Sequence, residues 1–341
     1  MLLFILTFLF SVLLTGGIRM ILARYGVMDM PNPRSSHAIP VPRGGGVAIL
    51  LVFLSAIVWL FHRQMLPAGI VSALVGGGLA IGAIGFLDDC FRLSFWPRLI
   101  VHSLAAAWAL WCSATTQAPQ VVRGAFCIWA VRGLELTGLV WLTNLFNFMD
   151  GIDGLAALEA VCASAFGAIL LLGNGAPAYS SASWALAAAS LGFLVWNWPP
   201  AKVFMGDAGS GFLGFSLGVL AIFSSKTNLG FAWPWLILLA AFWVDATLTL
   251  LRRIVLRESW IEAHRDHAYQ HASQLLGSHA KVSLSVAAIN AGWLFPFAWA
   301  ALKYPAIAPV TAMIALVPVV CLTFRFEAGA RRPGGGFRGA D

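Results

Sequence analysis

Apolar residues run through this chain in long blocks, separated by short segments in which Asp, Asn, Arg, His, Gly and Pro concentrate. Eleven blocks stand out, at 2–22, 44–62, 69–87, 99–116, 133–149, 155–173, 180–197, 209–225, 231–250, 283–302 and 306–324. A helix needs about 17–25 largely apolar residues to cross hydrocarbon, and a helix satisfies its own backbone there. The pattern predicts an all-α integral membrane protein, a polytopic helical bundle of about 11 transmembrane helices. The fifth and eighth blocks are the shortest. The segment near 117–132 reads as a loop or a short extracytoplasmic hairpin, because its apolar run, Ala125 to Val131, is too short to span. Gly78-x-x-x-Gly82 and Gly214-x-x-x-Gly218 predict close helix packing. No inverted repeat of the transporter kind is visible.

Composition agrees with the pattern. The chain of 341 residues is 60% hydrophobic and 10% charged, with a mean hydropathy of +0.84, whereas a soluble domain carries about 25% charged residues. The N-terminus lacks the basic start and small-residue cleavage site of a signal peptide. Arg19 and Arg24 follow the first block, which predicts an N-terminus outside and, after eleven spans, a cytoplasmic C-terminus. On that topology sixteen of the 21 Lys and Arg fall inside, and five (Arg63, Arg123, Arg132, Lys226, Lys303) fall outside. The expected organisation is one membrane domain, 1–325, and a basic, Gly-rich, disordered cytoplasmic tail, 326–341. The net charge of +7 suits membrane lipid headgroups, and no nucleic-acid partner is expected. Five scattered Cys, with no C-x-x-C, argue against a disulfide framework.

The polar segments carry the chemistry. Asn144-Leu-Phe-Asn147-Phe-Met-Asp150-Gly-Ile-Asp153-Gly places two carboxamides and two carboxylates at the end of an apolar block, where such groups are costly and mark function by default. Asp88-Asp89 ends the third block, and adjacent carboxylates repel unless a cation or proton lies between them. Phe204-Met-Gly-Asp207-Ala-Gly-Ser-Gly opens the eighth, and small residues at a helix start suit phosphate. These acids share one predicted face, which points to a divalent cation. Taken singly, each also reads as an ordinary turn or solvated loop. No EF-hand, Walker A or H-E-x-x-H pattern is present.

Two longer loops add cations. The first, 23–43, contains Arg34, His37 and Arg43 among four prolines. The second, 251–282, carries Glu262-Ala-His264-Arg265-Asp266-His267 and His271, better suited to contact phosphate oxygens than to hold a hard metal. Asp245, near the end of the ninth block, is expected to pair with Arg252 or Arg253.

Together these segments resemble the polyprenyl-phosphate N-acetylhexosamine-1-phosphate transferase family, over about residues 25 to 275. The likeness rests on the Pro-Arg-Gly-Gly first loop, Asp88-Asp89, Asn144-x-x-Asn147-x-x-Asp150-Gly-x-Asp153-Gly, Phe204-Met-Gly-Asp207 and the His-rich loop. The first loop looks closest to the branch that initiates O-antigen. The resemblance implies transfer of a sugar 1-phosphate from a UDP-N-acetylhexosamine to undecaprenyl phosphate, with release of UMP, at the cytoplasmic face of a bacterial inner membrane. It implies Mg²⁺, with Mn²⁺ as the alternative, held by Asp207 and Asp88. Asp88, Asp89, Asp150 and Asp153 are the implied catalytic acids. Asn144, Asn147, Phe204 (stacking on uracil), His264, Arg265, His267 and Arg43 are the implied substrate contacts. A homodimer is left open, as is the identity of the hexosamine. Arg92 stands three after Asp89 where the phospho-MurNAc-pentapeptide translocase branch has Lys, and the basic loop reads His-Arg-Asp-His rather than a run of His. Both depart from that branch, which remains the alternative within the family. A cation-coupled transporter is the alternative from another class, and it would place ionisable groups across the bilayer rather than on one face.

Overall fold

A computed structural model describes residues 1–30, 39–114, 125–258 and 265–330. Each predicted apolar block carries a helix: α1 Leu2–Arg24, α2 Val47–His62, α3 Ala68–Phe91, α4 Phe95–Ala114, α5 Ala125–Met149, α6 Leu155–Gly173, α7 Pro177–Asn197, α8 Asp207–Thr227, α9 Leu229–Leu238, α10 Ala240–Val255, α12 His279–Lys303 and α13 Pro305–Arg325, with α11 Ala268–Leu276 between blocks. Among the described residues the only sheet is a two-residue antiparallel ladder, β1 Met28–Asp29 against β2 Val41–Pro42. The protein is an all-α membrane protein.

Among the described residues, seven helices (α1, α3, α6, α7, α8, α12, α13) are long and apolar enough to cross a membrane, or eight if the bent pair α9–α10 counts as one span. The others fall short for local reasons. α2 has 16 residues. α4 and α5 are diluted by Arg98 and His102, and by Arg132, Glu135, Asn144 and Asn147. The expected ninth span is not straight, since α9 and α10 meet at 69°. α10 buries Asp245, Thr249 and Arg253 at intervals of four and turns Leu251, Ile254 and Val255 outward. Its polar stripe faces protein. A second departure concerns 125–132, which forms the first turns of α5 rather than loop or hairpin. Nothing between Val131 and Leu134 except Gly133 interrupts the helix, and one Gly costs only about 1 kcal/mol.

The most enclosed element is α8, buried at every position from Ala208 to Leu220. α3 and α5 pack along it, and both glycine stripes lie at such contacts. A Cβ on Gly214 or Gly218 would strike Leu142 or Leu139 of α5, and one on Gly78 or Gly82 would strike Phe212 of α8 or Leu50 of α2. α6 and α7 form a hairpin with Pro177 at the first position of α7. α1 lies on α7 through a buried stripe, Thr7, Ser11 and Thr15. From it Ser11 donates to the Ala189 carbonyl at 2.6 Å.

One carboxylate from a neighbouring helix seats the start of each site helix. Asp245 accepts from the main-chain N–H groups of Ala268 (3.0 Å) and Tyr269 (3.1 Å) at the start of α11. It also accepts from Thr249 Oγ1 at 3.0 Å and faces His267 Nδ1 at 3.4 Å. Asp245 is thus not paired with Arg252 or Arg253 as expected. Arg253 meets Glu258 (2.9 Å) and Asp266, and Arg252 donates to the Ala328 carbonyl at 3.1 Å. Four N–H groups at a helix start lack internal partners, and an anion there also meets the positive end of the dipole. That favours Asp245 at this position. The first residues of the expected tail, Phe326 to Ala330, pack on this region, with the Gly329 N–H bonded to the Asp266 carbonyl at 2.6 Å. The rest of the tail lies outside the described residues.

Candidate functional site

The first loop and the 204–209 segment meet edge to edge. Phe204 N–H donates to the Pro42 carbonyl (2.8 Å), and Gly45 and Gly46 N–H donate to the carbonyls of Phe204 and Met205 (both 2.9 Å). This ladder fixes Arg43 beside the start of α8. Asp89, its side chain fully buried, accepts from the N–H groups of Asp207 (3.0 Å) and Ala208 (3.2 Å). Gly206 makes the turn at φ +75, where a side chain is strained. A Cβ there would also run into the Asp89 carboxylate.

Five side chains alternate in charge across the site. Arg43 Nε meets Asp89 Oδ1 and Arg43 Nη2 meets Asp207 Oδ1, both at 2.8 Å. Arg98 Nη1 donates to Asp207 Oδ2 at 2.8 Å and to Asp88 Oδ2 at 2.7 Å. Asp88 Oδ1 accepts from the Leu93 N–H. Burial alone would favour neutral Arg43, but the charges of Asp207, Asp89 and Asp29 hold its guanidinium further into the cationic form.

Asp150 differs from its neighbours. Among the described residues its carboxylate has no hydrogen-bond or ion-pair partner. Enclosure by protein, and after it the negative charges of Asp207 and Asp89, push it well above the usual carboxylate range, with Arg43 opposing. Asp153 is held through one oxygen: Oδ2 accepts from Ala201 N–H at 3.0 Å and faces His279 Nδ1 at 3.4 Å. Asn147 accepts from Ser210 Oγ at 2.6 Å. Asn144 is spent within the bundle, its Oδ1 on His102 Nδ1 (3.2 Å) and its Nδ2 on the Val140 carbonyl (2.7 Å).

A cavity of about 540 Å³ opens beside these groups, lined in part by Gly151, Asp153, Phe204, Arg265, Gln270 and His279. A second, of about 340 Å³, is lined in part by Arg43, Asp89, Arg92, Asp29 and Tyr25. The fold therefore joins Arg43, Asp88, Asp89 and Asp207 in one network and sets Asp153, Phe204 and Arg265 on one cavity. His267 lies elsewhere, buried between the rings of Phe148 and Tyr269 and against Asp245. His264, Arg34 and His37 lie outside the described residues.

Three participants escape the sequence patterns. Arg98 reads there as topology charge, His102 as one polar residue in an apolar block, and His279 as one more polar residue of the 251–282 loop. Only their partners reveal them. Among the described residues no group of three or more His, Cys, Asp or Glu is arranged to hold a metal. The donor set is nonetheless oxygen, with Asp88 and Asp207 converging on one Arg98 nitrogen. Two carboxylates with water and substrate phosphates make an ordinary magnesium site.

Residues 71–225 match glycosyl transferase family 4. The chain is 28% identical over 289 residues to the probable undecaprenyl-phosphate N-acetylglucosaminyl 1-phosphate transferase of Bacillus subtilis, covering 83% of this chain and 79% of that protein. It is 28% identical over 270 residues to the undecaprenyl-phosphate alpha-N-acetylglucosaminyl 1-phosphate transferase of Thermotoga maritima, covering 78% and 80%. It is 28% identical over 279 residues to the phospho-N-acetylmuramoyl-pentapeptide-transferase of Lactobacillus gasseri, covering 74% and 81%. The segment that matches glycosyl transferase family 4 holds Asp88, Asp89, Asn147, Asp150, Asp153 and Asp207 together.

Proposed function

We propose that this enzyme transfers an N-acetylhexosamine 1-phosphate from a UDP-N-acetylhexosamine to undecaprenyl phosphate, releasing UMP, as the first step of O-antigen or a related surface polysaccharide. It does so at the cytoplasmic face of the bacterial inner membrane. The observation that carries this reading is the Asp88–Arg98–Asp207–Arg43–Asp89 network beside a cavity that holds Phe204, Asp153 and Arg265. An aromatic ring for the base, a cation-rich centre for the pyrophosphate and helix ends at the headgroup plane are what the reaction requires. The excess of Lys and Arg in the loops at this end supports the cytoplasmic side.

In the reaction an oxygen of the lipid phosphate bonds to the phosphorus that carries the sugar. The bond from that phosphorus to the bridging oxygen breaks, and the electron pair leaves on UMP. Such transfers depend on positioning and charge neutralisation. Asp207 and Asp88 would hold Mg²⁺, whose charge offsets that of the pyrophosphate and departing UMP. Arg43 and Arg98 each hold one oxygen of Asp207, and Arg98 one of Asp88, so their positive charge stands at the same centre. Arg43 and Arg92 line the smaller cavity, which suits the acceptor phosphate. With a second pKa of about 6, that phosphate is largely dianionic at neutral pH and needs no strong base. Both oxygens of Asp88 are already bonded, which favours direct attack over a covalent intermediate on Asp88.

Purified protein given undecaprenyl phosphate, Mg²⁺ and a panel of UDP-N-acetylhexosamines should release UMP and form a lipid-linked sugar with one or more of them. Absence of product from every donor would remove this reading. A product only from UDP-MurNAc-pentapeptide would move the protein to the translocase branch.

A further inference from the structure

The first turn of α12 grips the main chain of Asp153 at both ends. His279 Nδ1 accepts the Asp153 N–H at 3.3 Å, and Ser283, one turn on, donates to the Asp153 carbonyl at 3.2 Å. Lower on the same face, Asn290 donates to Glu159 of α6 at 2.6 Å. The imidazole is thus fixed in position against the 150–154 loop.

This grip also fixes where the ring carries its hydrogen. The Asp153 N–H has no other partner, and a main-chain donor left unpaired in an enclosed site is costly. Nδ1 therefore keeps its lone pair, and the proton sits on Nε2. Nε2 is then a donor with no partner among the described residues, on a residue that lines the same cavity as Phe204.

We propose that His279 is a specificity-determining residue, whose Nε2–H donates to the uracil carbonyl at the ring position where cytosine carries an amine. The inference rests on the uridine-donor reading above. Facing uracil, the donor finds an acceptor. Facing cytosine, it meets another donor and both go unpaired, so discrimination comes from a cost imposed on the wrong base as well as from a bond to the right one.

The test is calorimetric binding of UMP and CMP to the purified full-length protein, with turnover of UDP-N-acetylhexosamine measured in parallel. Wild type should prefer UMP by tenfold or more. His279→Ala should weaken UMP about tenfold, leave CMP little changed, and raise donor KM more than it lowers kcat. His279→Gln, which can return an N–H, should restore part of the preference and serves if His279→Ala does not fold. Ser283→Ala loosens the grip without touching the ring and should keep the preference. An unchanged UMP-to-CMP ratio in His279→Ala, or an equal collapse in Ser283→Ala, overturns the proposal. Because nucleotide binding is measured apart from turnover, wild type that binds UMP selectively but makes no lipid product would overturn the transferase reading alone.

Discussion

Arg43 and Asp207 lie 164 residues apart, yet a 2.8 Å bond from Nη2 to Oδ1 joins them, while Nε of the same guanidinium reaches Asp89. Two nitrogens of one planar group thus set the spacing of two carboxylates that arrive on different helices. An ammonium is a point charge and cannot reproduce that fork.

Arg43→Lys keeps the charge and should still lose most turnover, by about a hundredfold, because a fully bonded pair of this kind contributes a few kcal/mol. Steady-state rates of lipid product formation in detergent, with thermal unfolding alongside, provide the measurement. Turnover within threefold of wild type would show that charge alone is needed.

Asp207→Asn nearly conserves volume and removes the negative charge that a hard cation requires. Turnover should fall by several orders of magnitude, with the protein still folded and with added Mg²⁺ recovering little. Asp245→Asn is the comparison. Its carboxylate seats α11, so it should lose thermal stability more than rate. Near-normal activity in Asp207→Asn, with Mg²⁺ dependence intact, would assign the metal to another acid.

Phe204→Ala should raise donor KM by about tenfold, in keeping with roughly 1–3 kcal/mol for a base stacked on an aromatic ring. By family resemblance the nucleoside antibiotic tunicamycin should inhibit competitively with the donor and weaken in step. An unchanged KM would remove Phe204 from the nucleotide site.

Asp150→Asn should stabilise the ligand-free protein while abolishing turnover. The folded state raises this carboxyl above its ordinary value, so the native protein binds the proton more tightly than the unfolded chain. Stability therefore declines as pH climbs from about 3.9 through the folded value. Melting temperature followed from pH 5 to 8 should drop less in Asp150→Asn than in wild type, and the variant should melt higher at pH 8. Parallel curves would mean that Asp150 ionises without cost.

The sequence by itself determined the all-helical membrane class, because apolar blocks of that length leave the backbone no other way to be satisfied. It also exposed the acids, since Asp88, Asp89, Asp150, Asp153 and Asp207 are conspicuous against hydrocarbon. Both glycine stripes were legible for the same local reason, small residues repeated on one helix face. Only the tertiary structure decided what each polar group does. Asp89 turned out to seat the start of α8, Asp245 to seat α11 rather than meet an Arg, and Arg98 and His279 to complete a site whose patterns omit them. The bend between α9 and α10 likewise follows from packing, because α10 has a polar stripe that only α11 and its neighbours can pair. A sequence records which groups must be compensated. The compensating partner lies tens to hundreds of residues away, and its identity is fixed only when the helices pack.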